Sequence, residues 1–406
     1  MITALLNARV LTPEQEVPAA TVIVQEGRIA AVGQGLPPPA GAHAIDLTGL
    51  TLAPGFIDIH VHGGGGFSLM TEDPEEIRSY ARWVASTGVT AFLITLAGAS
   101  PPRLQRWLAA AATVGDQVEG GARPLGVHLE GPFVSPQRPG ALPPQTIRPP
   151  DLDEFAAYVR AAHGRLKVIT LAPELAGAHQ LIAAARAEGL VVSMGHTDAT
   201  YDQALEAISL GVSQATHCFN AMRPFHHRDP GCLGAILASP QVAAELIADG
   251  VHVHTGAMAL LLRAKGPEGT ILVTDGVAPA GLGPGTYSLL GEPIEVKGGV
   301  ARLAPAEGGS ASGGAGTIAG SVTTMDQMVR NLVRLGLASL PQALRLASLN
   351  PATALGLDAR TGPALSPSKG RVAPGFDADL VALDADLAVA LTFVGGELVH
   401  PSPAPA

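Results

Sequence analysis

Eight apolar runs of strand length recur through the middle of the chain, most of them separated by helix-length stretches rich in Ala, Leu and Arg. The runs are "GFIDIHV" (55–61), "GVTAFLITL" (88–96), "PLGVHLE" (124–130), "LKVITLAPE" (166–174), "LVVSMGH" (190–196), "VSQATH" (212–217), "VAAELIADG" (242–250) and "TILVTDG" (270–276). Between them lie segments such as "PEEIRSYARWVASTG" and "AHQLIAAARAEG". Repeated strand-then-helix units call for a parallel sheet, because each helix must carry the chain back to start the next strand in the same direction. Eight such units close into a (β/α)8 TIM barrel; an open doubly wound sheet is the alternative, and the count favours closure. The two ends have another texture. "TVIVQEGRIAAVG" near the start and "DLVALDADLAVALTFVGGELV" near the end are short strand-like runs with turn residues between them. They are expected to pair into one small β-sandwich module, residues 1–53 with 357–406, leaving 54–356 as the catalytic barrel. The Gly/Ser-rich "EGGSASGGAG" (307–316) is expected to be a flexible loop.

The 406 residues, 47% of them hydrophobic, suffice for a large barrel plus a small module. The mean hydropathy of +0.29 prompts a search for membrane spans. No uncharged apolar run approaches the roughly 20 residues a spanning helix needs. "MITALLNARVLTPEQEV" lacks the basic segment, apolar core and cleavage site of a signal peptide. Two cysteines make no disulfide framework, so a cytoplasmic protein is expected. A net charge of −10 without a basic stripe argues against nucleic-acid binding. It also means that an anionic substrate needs a local cationic pocket to receive it.

In a barrel of this kind the chemistry gathers at the C-terminal ends of the strands. The first run ends in His60 and His62, two residues apart and so on one face. The third ends in Glu130, the fifth in His196, the sixth in His217 and the eighth in Asp275; His252 follows the seventh. Any one of these alone reads as a hydrogen-bonded packing residue. Together, so many polar groups at one rim would be costly to bury without a partner. A divalent metal is that partner, and His with carboxylate ligation suits zinc, iron or manganese. Glu130 has two oxygens and can bridge two ions. One would sit with His196 and His217 and the other with His60 and His62, so one or two metals per chain are expected. Asp275 remains to move a proton to and from an attacking water, or to serve as a further ligand. The glycines of "HGGGGF" are expected to let a substrate approach the backbone closely.

The motifs "PGFIDIHVHG", "HLEGPF", "GHTDAT", "THCFNAM", "ADGVHV", "VTDGVAPAG" and "GTIAGS" stand in the same order as in a family of the amidohydrolase superfamily. The chain resembles the N-acetylglucosamine-6-phosphate deacetylases from residue 50 to about 380. The resemblance implies Glu130, His196 and His217 as the main metal ligands and Asp275 as the catalytic acid/base. It implies Asn220, Ala221, Ala141 and the loop Ile318, Ala319 and Gly320 as substrate contacts, and Arg228 with His252 as the groups that hold a sugar 6-phosphate. The implied reaction is hydrolysis of the acetamide by a metal-activated water. The implied partners are a small phosphorylated amino sugar and a second copy of the chain, with Arg228 able to reach the neighbouring subunit's site. Independently, the guanidinium of Arg228 in the locally basic "RPFHHRDPG" suits phosphate oxygens; an ion pair with Asp229 is the plainer reading. Two departures matter. Some members carry Gln where His60 stands and hold one metal. The family histidine that polarises the acetyl carbonyl is replaced here by Leu142, so a second metal on His60 and His62 is expected to do that work. The rivals are an amidohydrolase acting on N-acyl amino acids or cyclic amides, and a non-catalytic scaffold on the same fold.

Overall fold

The computed structural model describes residues 2–12, 15–304, 316–358 and 368–401. All eight anticipated runs form strands of one parallel sheet: β1 (Phe56–Asp58), β2 (Val89–Ala97), β3 (Arg123–Glu130), β4 (Leu166–Leu171), β5 (Val191–Met194), β6 (Gln214–Ala215), β7 (Ala243–Leu246) and β8 (Thr270–Leu272). They pair strictly in sequence order from β1 to β8. The ring is then completed beyond the ends of the regular ladder. Val61 bridges Gly276, His62 N–H donates to Gly276 O at 2.7 Å, and Asp275 N–H donates to His60 O at 2.9 Å. The closing seam is therefore made by the residues that carry candidate ligands. All nine residues of β2 are buried, as a parallel strand covered on both faces requires.

The helices on the outside follow ordinary signals. Pro74–Val84 starts at Asp73, whose side chain accepts from Glu75 N–H, and it buries Ile77, Tyr80, Ala81 and Val84 at helical spacing. Tyr201–Leu210 carries a reciprocal cap between Thr200 and Gln203 and stops at Gly211, in left-handed backbone. Among the described residues no helix is long and apolar enough to cross a membrane.

The termini build one mixed eight-stranded sheet. Ile2–Leu11 lies beside Glu16–Gln25 and Thr51–Pro54, and Thr51–Pro54 pairs antiparallel with Leu380–Leu383. That pairing joins the two ends of the chain. The sheet has an apolar core of its own, including Leu5, Val10, Val22, Leu52, Leu380 and Phe393.

An insert after β8 was not anticipated. Gly285–Leu289, Glu292–Lys297 and Val300–Leu303 form a three-stranded antiparallel insert after β8. Its middle strand buries only Ile294 and Val296, so its apolar alternation is too short to stand out between Gly- and Pro-rich turns. The expected loop at 307–316 lies, except for Gly316, outside the described residues.

A candidate metal centre and its cavity

Six of the strand-end residues meet at one mouth of the barrel. Glu130 ends β3, His196 and His217 stand two residues beyond β5 and β6, and Asp275 stands three beyond β8. His196, His217 and Asp275 all have left-handed backbone, with φ of 46°, 28° and 47°. Non-glycine residues rarely adopt it, at a cost of about 1–3 kcal/mol each. These turns bend the chain off the strand as it enters the loop.

Glu130 Oε1 lies 3.0 Å from His196 Nε2 and 3.0 Å from His217 Nε2, and those two nitrogens are 3.1 Å apart. Four ligands about 2.0–2.1 Å from a tetrahedral zinc stand roughly 3.3–3.4 Å from one another, so the triangle is close to the edge length of a metal cage. Two ring nitrogens so close repel when both carry lone pairs, and a cation between them removes the conflict. Glu130 Oε2 faces the other way, 3.2 Å from His62 Nε2. His62 Nε2 is also 3.3 Å from Asp275 Oδ1, and His60 Nε2 is 3.5 Å from Glu130 Oε1 and 3.6 Å from Asp275 Oδ1. His60 Nε2 is fully buried with no hydrogen-bond partner. The residues therefore fit a divalent metal.

Three of the rings are held through their other nitrogen. His60 Nδ1 is 2.9 Å from Glu245 Oε2, His62 Nδ1 is 3.2 Å from Thr95 O, and His196 Nδ1 is 3.0 Å from Arg138 O. A proton on each Nδ1, shared with these acceptors, leaves Nε2 free to ligate. Gly140 packs this wall closely: a Cβ there would lie 3.0 Å from His196 Cε1, on backbone with φ of +58°. Burial disfavours the charged forms of both His62 and Asp275. For His62 the contacts with Asp275 and Glu130 outweigh burial and raise it to about 9, a proton that a bound cation would displace; for Asp275 the imidazoles of His62, His60 and His217 outweigh it and lower it to about 2. Glu130 falls well below the usual carboxylate range for the same reason: burial opposes it, but the surrounding imidazoles prevail.

Above the cluster opens a cavity of about 250 Å³. Of the expected substrate contacts, Ala141, Asn220, Ala221, His252, Ile318 and Gly320 line it, together with His62, Glu130, His196, His217, Asp275 and Leu142. Two expected contacts are elsewhere. Ala319 is buried in the core of the three-stranded insert. Arg228 is exposed, with Nη1 2.7 Å from His227 Nε2, and it is Arg223, not Arg228, that pairs with Asp229. The glycine run also has another role than expected. A Cβ on Gly64 or Gly65 would fall 2.3 Å from the Trp83 ring, so these glycines admit the indole rather than a substrate.

Three residues of the centre went unnoticed in the sequence. Glu245, fully buried in β7, binds His60 Nδ1 and accepts from Gln214 Nε2 at 2.6 Å and His217 N–H at 3.0 Å. An acid in the middle of the apolar run "VAAELIADG" was its signal. His128 lies beside His60 but is engaged by Thr170 Oγ1 at 2.8 Å and Ile59 O at 3.2 Å. Burial first, and then the neighbouring His60 charge, lowers it to about 3, so it is neutral. Asp249 accepts from His252 Nδ1 at 2.7 Å, from Ser321 Oγ at 2.9 Å and from the N–H groups of Val251 and His252.

Comparison with known proteins places the chain in a family. The amidohydrolase family model matches residues 51–399. The N-acetylglucosamine-6-phosphate deacetylase of Homo sapiens is 40% identical over 365 residues, covering 87% of this chain and 84% of that protein. The N-acetylgalactosamine-6-phosphate deacetylase of Escherichia coli O157:H7 is 35% identical, covering 98% and 99%. A solved N-acetyl-D-glucosamine-6-phosphate deacetylase variant from Mycobacterium smegmatis, in complex with N-acetyl-D-glucosamine-6-phosphate, is 38% identical. It superposes with a TM-score of 0.87 over 98% of this chain and 99% of its own.

Proposed function

The chain belongs to the amidohydrolase family, and from that premise we propose that it hydrolyses the acetamide of N-acetylglucosamine 6-phosphate to glucosamine 6-phosphate and acetate. The observation that carries the reading is the triangle of Glu130, His196 and His217 under a cavity whose walls include Asp275, Asn220 and His252. The rival amidohydrolase substrates and the scaffold reading draw no support from the relatives.

Glu130, His196 and His217 would hold one divalent metal, and His60 and His62 with Glu130 a second; zinc, iron or manganese all suit this donor set. Bound there, the metal supplies Lewis acidity toward the amide carbonyl and acidifies water at neutral pH. Asp275, held ionised by its neighbours, takes a proton from the attacking water and delivers it to the departing nitrogen. Leu142, buried in the cavity wall against Ala97 and Val134, offers no proton to the carbonyl. That task therefore falls to the His60/His62 side of the centre. His60→Gln is accordingly expected to lower bound metal from two ions per chain to one and turnover by about tenfold or more. Elemental analysis paired with kcat checks this; unchanged turnover with one ion would refute it.

The phosphate is assigned to His252 within the cavity and to Arg228 of a neighbouring copy in a homodimer. Asp249 fixes the His252 ring. Burial lowers the pKa of His252, but the hydrogen bond and charge of Asp249, aided by Asp275, raise it on balance. An imidazolium is therefore kept to higher pH than usual. Asp249→Asn removes that support. KM for the phosphorylated sugar is expected to rise about tenfold, with the increase setting in at lower pH than in wild type and kcat changing less. KM profiles between pH 6 and 8.5 test it.

The function itself is tested by quantifying free amine after incubation of the metal-loaded protein with N-acetylglucosamine 6-phosphate, its unphosphorylated form and N-acetylgalactosamine 6-phosphate. Hydrolysis of the first in preference to the other two supports the reading; equal rates with and without phosphate reject it.

A further inference from the structure

We propose, resting on the amide-hydrolase reading above, that the active-site cavity continues into an acyl subsite through which this chain hydrolyses N-acyl amino-sugar phosphates with chains longer than acetyl. A second cavity of about 220 Å³ adjoins the first. His62, Met70, Leu289 and Leu290 line both, so the two spaces are divided by these side chains and meet on the His62 side of the centre.

The scissile carbonyl has to lie beside His62, Glu130 and Asp275. The sugar takes the side of the cavity that offers it polar groups, where Asn220 and His252 stand. The acyl tail is assigned to the apolar part of the remaining wall that borders the second cavity, where Met70, Ala97, Leu142, Leu289 and Leu290 stand. That corner is tightly built. Met70 packs on the buried cluster of Ala97, Val134 and Leu142. A Cβ on Gly98 would lie 2.5 Å from Leu290 Cδ1 and 3.5 Å from Leu142 Cδ2, so the two leucines come together over bare backbone. The corner carries no polar side-chain group, which suits an alkyl chain and nothing ionic.

Of the four side chains shared with the second cavity, Met70 and Leu290 are the ones that also wall this corner. Met70 is unbranched and adapts readily to a new neighbour. Leu290 sits at the tip of the insert hairpin, in left-handed backbone with φ of 56°. Beyond them the second cavity is lined by Ser68, Ser288 and Trp107, with Arg103 stacked over the indole at 4.8 Å. Leu142 is thus one part of an apolar passage.

The chemistry is that of the acetyl substrate. Water gives its oxygen to the acyl carbon, the carbon–nitrogen bond breaks, and the protons of water pass to the amine. R–CO–NH–R′ and H2O become R–COO⁻ and R′–NH3⁺.

The test measures kcat/KM for the N-acetyl, N-propionyl and N-butyryl forms of glucosamine 6-phosphate on the metal-loaded wild type and two variants. Burying a methylene is worth about fourfold, which offsets the cost of displacing Met70. The longer substrates are therefore expected within about tenfold of acetyl. Ser288→Trp fills the second cavity from its far side and should lower the butyryl-to-acetyl ratio about fivefold or more. Leu290→Ala widens the passage and should raise it. Hydrolysis of acetyl but not butyryl substrate overturns the acyl subsite and leaves the proposed function standing. Hydrolysis of none overturns the proposed function. Butyryl hydrolysis with a ratio that neither variant moves places the tail elsewhere and also overturns the subsite.

Discussion

Asp275→Asn is expected to keep its metal and lose about 10²–10⁴-fold in kcat. The substitution is nearly isosteric. The backbone around it is fixed independently, by Asp275 N–H on His60 O and Ser321 N–H on Asp275 O, each at 2.9 Å. The Glu130, His196 and His217 triangle contains no atom of Asp275. What changes is basicity. The native carboxylate, 3.3 Å from His62 and 3.6 Å from His60, is ionised at any working pH and accepts a proton. An amide does not. Metal content by mass spectrometry and single-turnover rates, measured on the same preparation, separate the outcomes. Full metal with near-native turnover rejects the acid/base role, whereas turnover lost in proportion to metal makes Asp275 a ligand first.

The barrel was legible because its evidence is redundant. Each of eight runs is long enough, apolar enough and close enough to a helix to be read, and an error in any one leaves the count almost intact. The centre was legible for a related reason: His60, His62, Glu130, His196, His217 and Asp275 all end a readable strand. Glu245 and Asp249 were not, because they act on other protein groups, and nothing in a sequence states which ring a carboxylate will face. The glycine run shows a different limit. Glycine announces that something comes close, but the indole of Trp83 and a substrate leave the same mark on the chain. Arg228 shows a third. Its basic neighbours suggested a phosphate pocket, yet within one chain it is exposed and outside the cavity, so any role at the centre depends on a second copy.

Lys369→Met is expected to cost about 3–5 kcal/mol of stability at neutral pH, far from any catalytic group. Lys369 is 2% exposed; its Nζ lies 3.1 Å from Asp377 Oδ2 and donates to Asp379 Oδ2. The trio stands where the terminal sheet meets the barrel. Asp379 O accepts from Gly55 N–H just before β1, Asp379 Oδ1 accepts from Gly395 N–H at 2.7 Å, and Lys369 N–H reaches Leu357 O at 2.7 Å. Burial raises the pKa of Asp379, but Lys369 and Arg123 lower it by more, so its folded pKa is depressed. A depressed carboxylate contributes stability that is present above its unfolded pKa of about 3.9 and is lost as pH falls through the folded value. Without the lysine, burial pushes the Asp379 carboxylate up instead, and protonation then relieves the variant. The gap in urea midpoint between wild type and Lys369→Met should therefore be widest near pH 7.5 and narrow toward pH 5. Adding Asp377→Asn and Asp379→Asn to the variant should recover part of the loss. A gap that is the same at both pH values would mean that the lysine acts through packing of its alkyl chain and not through its charge.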